Sequence, residues 1–303
     1  MSVIIFSEVV VMNFRTDLAL ERREMIKDGV QGVKVNKHEN EECTTTVIYV
    51  ETDEAAEKLG KAKGKYITIE MNSFSDEAAV TEGRLNAVKE SILELLPSCE
   101  GTVLVVGVGN AQITSDALGP MTASNIFSTR HISDEMRRRA GFSAELRSVA
   151  SISTGVLGST GIESSELIKS VCDSLKPCCV ITVDALAAGS VRRLGNTVQL
   201  SDTGIAPGSG IGNSRKRIDK DYLGVPVIAI GVPTVVDAVS LSCELSGIEP
   251  CNMPAKRLET AQGLIVAPKD IDLMVENASY LLGLSINCAL QKNLSAQDLY
   301  GLM

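Results

Sequence analysis

The sequence has no tryptophan, only 3% aromatic residues and only two histidines, His38 and His131. Nor is there an excess of basic charge: 29 Lys and Arg stand against 38 Asp and Glu, for a net charge of −9. An acidic chain so poor in aromatics lacks the basic stripes and stacking platforms of a nucleic-acid groove, so no direct nucleic-acid partner is expected. Its core has to rest on Val, Ile, Leu and Ala. The longest uninterrupted apolar stretches run to about ten residues, too short to span a bilayer. The apolar start, MSVIIFSEVVVMNF, carries Glu8 and lacks a basic region and a small-residue cleavage signature, so it does not read as a signal peptide. The eight cysteines form no C-x-x-C pair, although Cys178 and Cys179 are adjacent; reduced, buried thiols of a cytoplasmic protein are the expectation. With two histidines and no regular ligand spacing, no metal site is expected. There is no internal repeat, low-complexity tract or long linker.

What is present is ordinary for a soluble globule: 44% apolar and 22% charged residues in a chain of 303, enough to bury a large core without staples. Residues 27–45 (KDGVQGVKVNKHENEECTT) read as a polar surface connection. After them the pattern alternates. Residues 47–51 and 66–70 predict strands. Residues 76–96 predict an amphipathic helix, capped by Ser75 or Asp76 and stopped by Pro97. The unbroken β-branched runs 102–106, 179–183 and 225–231 predict strands buried on both faces. Further strands are expected at 145–149 and 264–266, with helices after Pro120 and over 164–174, 235–245 and 268–288. Strands alternating with helices argue for a single α/β domain with a mostly parallel central sheet flanked by helices. Ligands of such sheets bind beyond the carboxyl ends of the strands.

That rule singles out two carboxylates. The strand 102–106 runs through Gly107-Val108-Gly109-Asn110 to Asp116, and the strand 179–183 runs straight into Asp184. Two acids facing one cleft cannot both ionise cheaply, so one keeps a proton while the other takes one from water. Such a pair hydrolyses without a metal or other cofactor. Taken singly, each Asp is equally at home in a turn or at a helix start. Gly107-Val108-Gly109 lacks the third glycine of a dinucleotide site, since Gln112 stands there, and it reads as a tight turn. Asp202-Thr203-Gly204 spells the tripeptide of pepsin-like proteases, but this pattern is not all-β. Residues 201–213 form a Gly-rich loop in which Gly208, Gly210 and Gly212 could aim N–H groups at an oxyanion or phosphate, or form a surface flap. It lacks a P-loop's Gly-Lys-Ser/Thr ending. Ser153, Ser159 and Ser209 form no nucleophile elbow. Arg192-Arg193 and Arg215-Lys216-Arg217 are basic spots, either solvated faces or a docking surface for an acidic partner.

Together, RTDLALE at 15–21, VGVGN at 106–110 with SDALGP at 115–120, GVLGSTGIE at 155–163, VDALA at 183–187, TVQLSDTGIAPGSGIGNSRKR at 197–217 and LGVPVIAIGVPTVVDAV at 223–239 resemble the germination protease family, with a weaker echo in VAPKDID at 266–272. The resemblance implies a phosphorylase/hydrolase-like α/β fold similar to the hydrogenase maturation proteases. It implies an aspartic-type endopeptidase that initiates degradation of small acid-soluble spore proteins during germination. It further implies a homotetramer, made during sporulation as a zymogen in the cytoplasm of the forespore and resident in the spore core, with no membrane partner. The family's essential carboxylates match Asp116 and Asp184. Its substrates are cut after an acidic residue and before a hydrophobic-Ala-x-Glu stretch. Residues 16–21 (TDLALE) read as such a site, which predicts autoprocessing between Asp17 and Leu18, a propeptide at 1–17 and a catalytic α/β peptidase domain at 18–303. The same junction also reads as a helix start capped by Thr16 or Asp17. The sequence departs from the family pattern in its more hydrophobic leader and in Ala111 and Ser115, where a larger apolar or aromatic residue and a proline are usual. Two other enzymes share parts of the pattern. A nickel-dependent hydrogenase maturation protease would need His38 or His131 at the cleft. A nucleoside phosphorylase-like enzyme would use residues 208–213 for phosphate.

Overall fold

The structure is a computed structural model that describes residues 16–26, 29–76, 79–139, 145–207, 216–248, 260–261 and 263–300. Among the described residues nine strands form one sheet: β1 (Val33–Glu39), β2 (Cys43–Val50), β3 (Gly64–Met71), β4 (Val103–Gly107), β5 (Val149–Ser153), β6 (Cys179–Ala188), β7 (Thr197–Ser201), β8 (Val227–Asp237) and β9 (Ile265–Val266). Their spatial order is β1-β2-β3-β7-β8-β6-β4-β5, with β9 pairing β8. The centre, β8-β6-β4-β5, is parallel throughout, as the buried β-branched runs led one to expect. An antiparallel wing, β1-β2-β3-β7, continues the sheet from β8.

Helices cover both faces. On one face pack Glu82–Leu95, Leu118–Ser124 and Ile271–Leu290. Ile271–Leu290 is long and apolar enough to cross a membrane by length and composition, but it is largely buried inside the protein. Leu281, Leu282, Leu284 and Ile286 are each fully enclosed, which stabilises the fold by about 2 kcal/mol apiece. On the opposite face Ser164–Leu175 inserts Ile168 and Cys172 against Leu104, Val106 and Val180. A smaller cluster seats Ala19 and Leu20 on the wing, against Ile48, Val50 and Tyr66.

Several boundaries differ from the sequence expectation, each for a local reason. The helix expected from residue 76 starts at Glu82, because Thr81 Oγ1 accepts the N–H of Arg84, while Ser73 and Asp76 close a separate turn. The strand expected at 145–149 lies at Val149–Ser153. The N–H and carbonyl of Arg147 are taken by the Gln291 side chain, which withdraws them from a ladder. Residues 33–39 form the exposed edge strand β1 rather than a loop, with Lys34 and Lys37 blunting the open edge. The strand begun at Cys179 runs on to Ala188, so Asp184 lies within β6 rather than past its end. β7 was not foreseen at all.

Candidate active site

The chain leaves β4 to pair β5 on one side, then crosses to place β6 on the other. The crevice opened by such a reversal lies at the carboxyl end of the shared strand, here β4. The parallel ladder between β4 and β6 ends with Gly107 opposite Val183. Asp184 is therefore the first residue of β6 beyond that ladder, and the principle that singled it out holds with respect to β4, though not to β6 itself.

Asp116 reaches the same crevice from the loop that follows β4. Gly109, at φ +125°, carries the chain around the turn, and a Cβ there would lie 2.2 Å from the carbonyl oxygen of Asp116. The N–H of Asn110 donates to both the Asp116 carbonyl (3.0 Å) and its Oδ2 (2.8 Å). Thr234 Oγ1 on β8 donates to the Ser115 carbonyl at 2.6 Å. Gly119 lets the following helix touch the sheet, since a Cβ there would meet the carbonyls of Val108 and Val183. The Gly107-Val108-Gly109 segment is thus a tight turn that serves Asp116.

Asp116, Asp184 and Asp17 line one cleft of about 280 Å³, together with Val108, Gly109, Leu186, Ala187, Pro207 and Thr234. Asp184 is buried, and its Oδ1 accepts the N–H of Ala185 at 3.0 Å. Asp17 lies along β6 and exchanges two hydrogen bonds with Ala187: its N–H donates to the carbonyl, and its Oδ2 accepts the N–H, both at 2.9 Å. Leu18 is fully buried, and its N–H donates to Thr16 Oγ1 at 3.0 Å. The helix Ala19–Glu24 follows at once, but its N-cap position is Leu18 and no side chain caps it, so the expected cap by Thr16 or Asp17 is not formed; Thr16 Oγ1 instead closes a local turn onto the Leu18 N–H. A second cavity, of about 170 Å³, shares Asp17, Asp184 and Leu186 with the first and adds Lys61, Tyr66, Gln199 and Arg217.

Two residues at this junction were not singled out in the sequence, although Gln199 lies in the family-like stretch 197–217. Lys61 Nζ donates to the Asp17 carbonyl oxygen at 2.6 Å, and Gln199 Nε2 donates to the same oxygen at 2.9 Å. Gln199 Oε1 accepts the N–H of Ala19 at 2.6 Å. Burial lowers the Lys61 ammonium to about 8, Asp17 and Glu21 pulling it back up and Arg22 and Arg217 pushing it down. Glu21 is enclosed, accepting the N–H of Gly189 (2.6 Å) and Ser190 (3.1 Å) and the hydroxyl of Thr16, and burial raises its carboxyl above the usual range.

Other candidates fall elsewhere. Gly208, Gly210 and Gly212 lie outside the described residues, as do Ser209 and Arg215. Asp202 holds a turn, its Oδ1 accepting the Lys65 N–H at 2.8 Å. Arg193 is no docking surface: it is buried, forks onto Glu24 at 2.7 Å through each terminal nitrogen, and reaches Glu70 at 3.0 Å. His38 sits on β1 and His131 beyond the helix Leu118–Ser124, and neither lines the cleft. Ser153 ends β5, and Ser159 bonds within its own turn. The cysteines among the described residues are free thiols.

An α/β protein with acidic side chains converging at the carboxyl end of a central parallel strand belongs to the broad class that binds and works at such crevices. Comparison with known sequences narrows it. The model of the germination protease family matches residues 12–246, and the chain belongs to that family, which makes it a protease. It is 40% identical over 324 positions to a germination protease of Caldanaerobacter subterraneus subsp. tengcongensis, covering 97% of this chain and 99% of that one. It is 36% identical to a germination protease of Clostridium perfringens, with 95% and 98% covered. A Bacillus mycoides relative of the same description is 42% identical over 243 positions, covering 76% of this chain and 65% of its own length. Among solved structures, a [NiFe] hydrogenase maturation protease HycI from Thermococcus kodakarensis KOD1 aligns over 66% of this chain and 98% of its own, with 18% identity and a TM-score of 0.37.

Proposed function

We propose that this chain is an aspartic-type endopeptidase that initiates the degradation of small acid-soluble spore proteins in germination, synthesised as a zymogen in the forespore. Residues 1–17 are its propeptide and residues 18–303 its peptidase domain, assembled as a homotetramer. Asp116 and Asp184 share one proton; the ionised partner takes a proton from water, and the protonated partner gives one to the leaving amine. The stretch containing Gly208, Gly210 and Gly212 starts one residue after Pro207, itself in the wall of the cleft, and its N–H groups are the candidate donors to a bound substrate.

The observation that carries this reading is that Asp17, which precedes the bond expected to be cut, lines the same cleft as Asp116 and Asp184. The test is incubation of the purified chain with a small acid-soluble spore protein, with mass spectrometry of the fragments and sequencing of the enzyme's new N-terminus. Asp116→Asn and Asp184→Asn should each slow both cleavages by roughly 10²–10⁴-fold. Either variant trimming itself at the wild-type rate would refute the assignment.

A further inference from the structure

The carbonyl oxygen of Asp17 is held by two side chains from distant parts of the chain. It lies on neither a helix nor a ladder, yet it accepts two side-chain donors, Lys61 Nζ at 2.6 Å and Gln199 Nε2 at 2.9 Å. The residues on either side are fixed as well. The Asp17 N–H is bound by Ala187, the Leu18 N–H by Thr16 Oγ1, and the Ala19 N–H by Gln199 Oε1. One carboxamide thus grips the chain before and after the Asp17-Leu18 peptide through main-chain atoms alone, a grip independent of side-chain identity. The donors belong to one cavity, Asp116 to the other, and Asp17 and Asp184 to both.

A neutral donor would suffice to satisfy a carbonyl. Drawing the ammonium of the partly buried Lys61 out of water to do so is unfavourable, and its lowered proton affinity registers that penalty. The gain comes when the oxygen acquires a full negative charge. A charge-assisted donor then strengthens far more than it does toward the ground-state carbonyl, and this differential binding is what accelerates a reaction.

Resting on the reading that the Asp17-Leu18 bond is cut, we infer that Lys61 and Gln199 are catalytic residues that form the oxyanion site for its hydrolysis. The oxygen of water bonds to the Asp17 carbonyl carbon and loses a proton to the carboxylate pair. The carbonyl π electrons move onto the oxygen between Lys61 and Gln199. Collapse of the tetrahedral adduct breaks the bond to the Leu18 nitrogen, which takes a proton from the pair. The products are an α-carboxylic acid on Asp17, which releases its remaining proton to solvent to become a carboxylate, and a free amine on Leu18.

The test follows self-cleavage of the full chain by mass spectrometry across pH 5–10, with folding checked by thermal melts. Lys61→Met should slow the first-order rate on the order of 10²–10³-fold, with partial recovery in Lys61→Arg. Gln199→Glu keeps the acceptor for Ala19 but replaces the donor, so it should be slower still than Gln199→Leu. Beyond the fall set by loss of the proton that Asp116 and Asp184 share, the wild-type rate should show a further fall as pH rises through about 8, where Lys61 loses its proton. That limb should vanish in Lys61→Met, although Asp17, Glu21, Arg22, Tyr66, Asp184 and Arg217, the other ionisable groups facing the ammonium, are all retained. Lys63→Met, which removes an exposed neighbour, should match wild type. If Lys61→Met does not fold, Lys61→Gln takes its place in the same measurement. Wild-type chain that cuts the bond while folded Lys61 and Gln199 variants cut it equally fast overturns the inference and leaves the proposed function standing. Wild-type chain that leaves the bond intact at every pH overturns the self-cleavage reading and the inference with it.

Discussion

Gly109→Ala separates the geometric support of Asp116 from its chemistry, because it changes no ionisable group. At φ +125° the backbone is in a region that only glycine enters readily, so alanine there costs roughly 1–3 kcal/mol in strain. The added methyl would lie 2.2 Å from the Asp116 carbonyl oxygen and 3.2 Å from Asp116 Oδ1. Relieving the first contact requires a displacement of about 1 Å, comparable to the misplacement that lowers an enzymatic rate by ~10²-fold. The same displacement pulls Asp116 from the Asn110 N–H, which donates to it at 2.8 Å and 3.0 Å, at about 1 kcal/mol per bond. The summed destabilisation is about 3–5 kcal/mol and should lower Tm by roughly 5–10 °C. The assay pairs a thermal melt with the rate of cleavage of a peptide copying residues 14–24. Gly158→Ala is the control, because a Cβ there meets nothing within 4 Å; its rate should be unchanged and its Tm equal or slightly higher. Wild-type rate and Tm in Gly109→Ala would refute the claim that this turn positions the carboxylate.

Glu21 should leave a signature in the pH dependence of stability. Burial raises its carboxyl above the ordinary 4.5, so the folded state binds that proton more tightly than the unfolded chain does. Its stabilising contribution is complete below pH 4.5 and is lost as pH rises through the higher folded value. Glu21→Gln cannot titrate, so wild type should lose stability relative to it from pH 4.5 upward; parallel urea midpoints over pH 4–8 would contradict this. Arg193→Met strands the buried Glu21 and the half-buried Glu70 without their counter-charge and should cost about 3 kcal/mol in urea denaturation. Arg193→Lys loses the fork on Glu24 and should recover only part of that. A loss below about 1 kcal/mol for Arg193→Met would mean that the network behaves as an exposed ion pair.

The parts legible in the sequence were those encoded locally. Val103, Leu104, Val105 and Val106 announced a strand buried on both faces, and Cys179 to Val183 a second; the acids that follow each then fell to the crevice rule. The TDLALE segment was legible through family resemblance, and the structure lays it along β6. The antiparallel wing was not legible. Residues 33–39 carry the polar pattern of a loop because an edge strand exposes most of its side chains. Residues 197–201 are too short and too near a Gly-rich stretch to stand out, yet β7 joins the wing to the centre.

The sequence by itself determined the α/β class, the buried central strands and the identity of two acids at a crevice, because hydrophobic period and turn chemistry act between residues close in the chain. Only the tertiary structure decided what surrounds the Asp17-Leu18 bond. No local pattern marks Lys61 or Gln199 as a partner of Asp17, although Gln199 lies in the family-like stretch 197–217. They meet at Asp17 across 44 and 182 residues of chain, a convergence set by strand order, which local pattern does not encode.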